Sequence, residues 1–351
     1  MSRISKADRG RHVARILAGS WRPRPPVAAV SEPELSLALT PLLRGGAAPL
    51  AWWVLKHSDL SQSPPARVAH DTYALSAIQA VLREEALVDL LRRLRSAGLD
   101  PILGKGWAAA ALYPEPGLRP SGDFDFYARR AEAAAVSAAL TGASDIDVHR
   151  GLSQLDDRSE AEAYARSETK PVRDLWLRVF SPEDHLRLLC LHLLGHGAWR
   201  PTWLCDVAAA LEGRPAGFDW DYFLSGDAHR TDAAACALVL AHELLDAALT
   251  GVPERISKRH LPRWLAPVVL AQWGDPVFQA HGLRVPLAES LGHPVALMRA
   301  LALRWPNAVE ATIGVRAPFN NLPRFPIRIA ESIRRSALFA LRLRGLRRQA
   351  L

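Results

Sequence analysis

Cysteine is scarce: this 351-residue chain has three, Cys190, Cys205 and Cys236, an odd number without CxxC spacing. That excludes a disulfide framework and fits a reducing, cytoplasmic setting. Long apolar runs are missing as well. No uncharged apolar stretch reaches the roughly 18 residues of a membrane-spanning helix. The basic opening, MSRISKADRGRHVARIL, lacks the apolar centre that a secretory signal needs. Acid is nearly absent from the far end, where eight arginines between Arg324 and Leu351 (Arg324, Arg328, Arg334, Arg335, Arg342, Arg344, Arg347, Arg348) face one carboxylate, Glu331. The net charge of +8 is therefore mostly that segment's, and the rest of the chain is close to neutral. A polyanion or a membrane surface, if one is a partner, is expected at this tail, where Leu338, Phe339, Leu341, Leu343 and Leu346 interleave with the arginines.

What is abundant is leucine, alanine and arginine, which favours helix. The length suggests two domains or more. Residues 1–66 read as an N-terminal helical arm, with a helix start at Ser31–Glu34 in capping-box spacing. The clearest long helix is 67–97, where Tyr73, Ile78, Val81, Leu82, Leu87, Leu90, Leu91 and Leu94 recur at three- and four-residue steps before Gly98. Strand signals follow at 100–104, 123–128 and 143–151, with helices at 105–113 and 129–140 between them. The order is that of a small α/β (α+β) unit on a mixed sheet, spanning 67–170. After a short extended piece, 172–180, a helix begins at Ser181 with Pro182, Glu183 and Asp184 in its first turn. Residues 171–320 read as a mainly helical additional domain, and 321–351 as a basic amphipathic tail.

The stretch GKGWAAAALYPEPGLRPSGDFD, Gly104 to Asp125, is the chemical centre of the chain. Residues i and i+2 of a strand share a face, so Asp123 and Asp125 fall side by side, with Phe124 and Phe126 on the other face. Paired carboxylates suit a divalent cation that carries a phosphate. Asp147, on the next strand, supplies a third acid, with Asp145 two residues before it as a competitor. Gly104, Lys105 and Gly106 form a glycine turn before a helix, where backbone N–H groups can approach phosphate. Arg119 is placed to clamp phosphate or to bridge an acid. His192 and His196 share a helix face with His185 nearby, but no fourth ligand has metal spacing; with Asp206 they are candidates for lining a cleft. The tryptophans, Trp199 and Trp203 among them, are expected in packing rather than as stacking platforms.

LGKGWAAAALYPEPGLRPSGDFDFYA, DIDVHRGL, SPEDHLRLLCLHLLGHG and WLCDVAAAL together resemble the uncharacterised nucleotidyltransferase family of the nucleotidyltransferase superfamily. The shared features are a lysine–glycine turn, a tyrosine–proline helix end, an arginine–proline pair before a DxD strand, and an acid–hydrophobe–histidine pattern. The resemblance implies Gly104 and Gly106 at a triphosphate turn, Asp123 and Asp125 as metal ligands, and Asp147 as third acid and base. Lys105 stands where the superfamily usually has serine or glycine. The implied activity is Mg²⁺-dependent transfer of a nucleoside monophosphate from an NTP, with ATP the first candidate, to an acceptor hydroxyl or phosphate. An accessory enzyme of peptide natural product or surface polysaccharide biosynthesis is the implied setting. Two alternatives stay open: a toxin-like transferase acting on tRNA or protein, and an inactive binding module of the same fold.

Overall fold

The computed structural model describes residues 4–275, 293–296, 298 and 304–349, with the side chains of 340 and 342–349 left aside. The expectations for Arg342, Leu343, Arg344, Leu346, Arg347 and Arg348 therefore lie outside the described side chains. In chain order the elements are α1 (Lys6–Leu17), α2 (Glu32–Arg44), α3 (Ala48–Leu55), α4 (Pro64–Ser96), β1 (Ile102–Gly104), α5 (Gly106–Ala110), β2 (Phe124–Ala128), α6 (Ala133–Ala139), β3 (Ile146–Arg150) and α7 (Glu160–Arg166). They continue with β4 (Glu168–Val172), β5 (Leu175–Val179), α8 (Pro182–Gly195), α9 (Pro201–Glu212), α10 (Trp220–Phe223), α11 (Ala228–Leu245), α12 (Glu254–Ser257), α13 (Leu265–Trp273), α14 (Ala308–Gly314) and α15 (Phe325–Gln349). This is the mixed α/β architecture expected, with a helical region around a small sheet.

The five strands run in the order β3-β2-β1-β5-β4. β1 is antiparallel to β2 and parallel to β5, β2 is parallel to β3, and β4–β5 is an antiparallel hairpin. Both faces of β2 are covered, and every one of its residues is buried. Alternation divides them. Phe124 and Phe126 face a core made with Leu87, Val88, Leu90, Leu91 and Leu94 of α4 and Val136 of α6. Tyr127 joins the larger helical core, which includes Leu188, Leu193, Leu204 and Leu211. With a period of two, Asp125 must share the Tyr127 face, towards α8 and α9.

Three helical segments differ in detail from their patterns. The 105–113 segment is helical only over α5, five residues long. α4 is present as expected, but its apolar stripe splits: 87–94 packs on the sheet, whereas Leu75, Ile78, Val81 and Leu82 are exposed. There α4 has passed the sheet edge, and small residues turn inward instead; a side chain at Gly117 would run into the Ala77 backbone. α1 is part of the core. Val13, Ile16 and Leu17 are fully buried, and α1 lies so close to α13 that a Cβ on Gly10 would overlap the Leu270 carbonyl. Arg22 then bonds Glu212 at the end of α9 with Nε at 2.9 Å and Nη2 at 2.7 Å.

Caps fall where the sequence puts them. The Glu34 carboxylate accepts from the Ser31 N–H at 2.8 Å, and Ser181 Oγ accepts from the Asp184 N–H at 3.3 Å. α15 is tied down near its start by Arg328, which donates to the Pro306 carbonyl at 2.8 Å, and by Arg335, 3.5 Å from Glu310 of α14; within the helix, buried Glu331 accepts from Arg334 Nε and Arg335 Nε, each at 2.6 Å. Beyond, Ile333, Leu338, Phe339 and Leu341 are exposed. No helix among the described residues is long and apolar enough to cross a membrane.

Candidate active site

Strand pairing places Gly104, Asp125 and Asp147 in one row across β1, β2 and β3. Because β2 and β3 are parallel and in register there, the two carboxylates stand on the same face on neighbouring strands. His149, two residues beyond Asp147, shares that face. Its Nε2 lies 2.9 Å from Asp125 Oδ1 and 3.4 Å from Asp147 Oδ2. Its ring stacks on Tyr127, with centroids 4.4 Å apart. Asp125, Asp147 and His149 each offer a ligand atom, all within 4.8 Å of one another. Two carboxylates and an imidazole at that spacing fit a divalent cation.

The other competitors for the row turn away. Asp145 precedes β3 in a left-handed conformation, φ 59°, and its carboxylate takes Arg83 at 3.1 Å. Asp123 immediately precedes β2, is exposed, and is not among the three clustered ligand residues. Its place beside Asp125, expected from i, i+2 spacing, is thus at the open rim of the site, while the buried member of the pair is Asp125.

Lys105 is bent into the site. It has φ 46° and ψ −135°, a conformation that side-chain-bearing residues rarely adopt. Its ammonium is 2.6 Å from Asp125 Oδ1 and 3.3 Å from His149 Nε2, with only 9% of the side chain exposed. Burial raises the Asp125 carboxyl, but the His149 hydrogen bond and the Lys105 charge outweigh it, and the group sits below the ordinary carboxylate range. The lysine therefore occupies an oxygen that a cation would also use. Lys105→Met is expected to tighten divalent-cation binding about tenfold in the absence of nucleotide, because it removes a competing positive charge a few ångströms away; titration calorimetry with Mn²⁺ reads this out.

The glycines on either side are needed for packing. A Cβ on Gly104 would lie 2.9 Å from the Tyr127 ring, and one on Gly106 would lie 2.8 Å from the Asp123 carbonyl oxygen. Gly106 thereby lets α5 pass directly over the entry to β2.

A second buried cluster holds α9 against this site. Arg119 donates to both carboxylate oxygens of Asp206, from Nε at 3.2 Å to each and from Nη2 to Oδ2 at 2.8 Å. Tyr113 Oη donates to Asp206 Oδ1 at 2.9 Å. Asp206 is fully buried. Of the two roles open to Arg119, the structure gives it the acid, and Asp206 is a latch below the cleft instead of part of its lining. The neighbouring tyrosine–proline and arginine–proline segments meet the distant WLCD segment in this one cluster.

The sequence profile of the uncharacterised nucleotidyltransferases matches residues 36–145 and 141–246, more than half of the chain. The chain belongs to the uncharacterised nucleotidyltransferase family. No curated protein and no solved structure matches it significantly. The matched span contains the whole acidic row, the Lys105 turn, the Arg119–Asp206 pair and the histidines of α8. It ends after α11 and leaves α1 and the basic tail outside.

Two parts of this candidate site carry weak signals in the sequence. His149 belongs to the acid–hydrophobe–histidine pattern, but its contact with Asp125 depends on β2–β3 register. The aromatic group on α8 and α9 is the other: His192 and His196 have ring centroids 4.5 Å apart, and both lie against Trp203, at 4.7 and 5.3 Å. Gln154 connects it to the acids, accepting from Tyr127 Oη at 3.2 Å and lying 3.4 Å from His192 Nδ1 through its amide nitrogen. Burial, joined by the positive charges of His196, Lys105, Arg119 and Arg200, pushes His192 well below its usual range. It is a neutral imidazole at the edge of the cleft.

Proposed function

We propose that this protein transfers a nucleoside monophosphate from an NTP, with ATP the first candidate, to an acceptor hydroxyl or phosphate, releasing pyrophosphate. The observation that supports it most is the in-register pair Asp125–Asp147 with His149 beside both. Mg²⁺ would be held by Asp125, Asp147 and His149, with Asp123 at the rim, and would supply charge neutralisation at the phosphates.

The protein's own groups divide the remaining work. Asp147 has a side chain 54% exposed, open to an entering acceptor, and it takes the acceptor's proton. The acceptor oxygen forms a bond to the α-phosphorus as the bond to the bridging oxygen of pyrophosphate breaks. Asp125 is buried on a strand covered on both faces, so the carboxylate needs little reorganisation. Lys105, once released from Asp125, lies beside the glycine turn as a phosphate contact.

The accessory role in peptide natural product or polysaccharide biosynthesis rests on family likeness alone. A reducing cytoplasmic setting fits three buried, unpaired cysteines. Contact of the tail with an anionic surface rests on the exposed apolar residues of α15 among arginines; loss of vesicle co-sedimentation on truncation after Ser336 tests it, and unchanged sedimentation rejects it.

The experiment for the activity itself is incubation with Mg²⁺ and each α-labelled NTP, with and without candidate acceptors, beside an Asp123→Asn/Asp125→Asn variant. Label transfer and pyrophosphate release confined to the wild type support the assignment. Transfer that survives the double substitution contradicts it.

A further inference from the structure

We propose that Arg200, held against Trp199 and Trp203 at the start of α9, is the residue that receives the β- and γ-phosphates of the nucleotide. The inference rests on the nucleotidyl-transfer assignment above and adds to it the group that binds the leaving pyrophosphate.

The cations around the cleft differ in how they are matched. Lys105 is bonded to Asp125, and Arg119 is bonded twice to Asp206. Arg200 has no such acid partner among the described residues. Its guanidinium lies against indole faces, the guanidinium carbon 5.4 Å from the Trp199 ring centroid and 5.5 Å from that of Trp203. Its Nε is shut off from solvent and makes no hydrogen bond. Guanidinium keeps its proton, and with no protein acceptor on its Nη groups among the described residues it has those donors open to an anion.

Its surroundings favour an anion of high charge. Burial and the nearby Arg119 disfavour the Arg200 charge, and Asp206 and Asp123 only partly offset them. Geometry joins Arg200 to the acids: Trp203 beneath it lies 4.7 Å from the His192 ring, and Gln154 links His192 to Tyr127, on which His149 stacks. His192, His196, Arg119 and Lys105 share its field. The carboxylates lie on the sheet side, and Arg200, whose charge no acid among the described residues matches, lies at the start of α9. A metal-bound polyphosphate needs that division: acids toward the metal, and donors toward the oxygens that the metal does not neutralise. Indole faces hold the guanidinium plane, which leaves its N–H edge for paired bonds to phosphate oxygens. If Arg200 served packing alone, its removal would not distinguish one phosphate from three.

The test is binding in the presence of Mg²⁺, followed by tryptophan fluorescence and calorimetry, with ATP, AMP and inorganic tripolyphosphate as separate probes. Arg200→Gln is expected to weaken ATP and tripolyphosphate about ten- to a hundredfold, the scale of a charge-assisted hydrogen bond, and to change AMP less than threefold. Arg200→Lys, which keeps charge but loses the planar fork, falls between. If the wild type prefers ATP to AMP and Arg200→Gln preserves that preference, Arg200 is a packing residue and this inference fails alone. If the wild type binds neither ATP nor tripolyphosphate, the nucleotidyl-transfer assignment fails with it.

Discussion

Asp125→Asn is expected to lower nucleotidyl transfer by roughly a thousandfold, the upper part of the range for removing one preorganised electrostatic group. The substitution keeps the shape and an oxygen that accepts from Lys105, but removes the charge on which Lys105, His149 and a cation converge. Asp125 is buried at the centre of a strand covered on both faces, so no neighbour can move in to replace it. Asp147→Asn is expected to fall nearly as far, whereas Asp123→Asn, at the rim, loses less. The ordering distinguishes this geometry from a site in which Asp123 and Asp125 act as equals. Rates are measured well below each variant's melting point, since a buried ammonium facing a neutral amide also costs stability.

Asp206→Ala should produce the largest loss of stability, about 3–5 kcal/mol, since breaking a buried ion pair leaves an uncompensated charge. The Asp206 side chain is 0% exposed and Arg119 9%, and Tyr113 loses its acceptor in the same step. Arg119→Met/Asp206→Leu is expected to recover most of that loss, because the apolar pair leaves no charge behind. Urea or thermal melts of the two variants read out the difference. Equal destabilisation by the single and double variants would mean that shape, and not the unpaired charge, sets the cost.

The sequence makes the metal strand legible because the alternation of DFDFYA assigns each residue a face. It also points to Asp147 over Asp145, and a positive φ at Asp145 explains why the nearer candidate drops out. Other features depend on pairings that no local pattern encodes. The contact of His149 with Asp125 follows from strand register, and the Arg119–Asp206 bond joins residues 87 positions apart. Lys105 reads as part of a phosphate-binding turn, and its positive-φ backbone instead sets the ammonium on Asp125, which no local pattern encodes. The N-terminal helix looks like an arm because its burial depends on α13, more than two hundred and fifty residues later in the chain. In α4, one continuous apolar pattern serves the sheet over 87–94 and faces solvent over 75–82. Periodicity alone does not mark where the sheet ends.

Under the proposed function, Asp125, Asp147 and His149 form one cation site for nucleotide chemistry. Calorimetric titration of the wild-type protein with Mn²⁺, alone and with a non-hydrolysable ATP analogue, tests it most directly. The expected result is saturable binding, strengthened by the nucleotide and abolished in Asp125→Asn. Mn²⁺ binding that is absent from the wild type, or that persists unchanged in Asp125→Asn and Asp147→Asn, would contradict it.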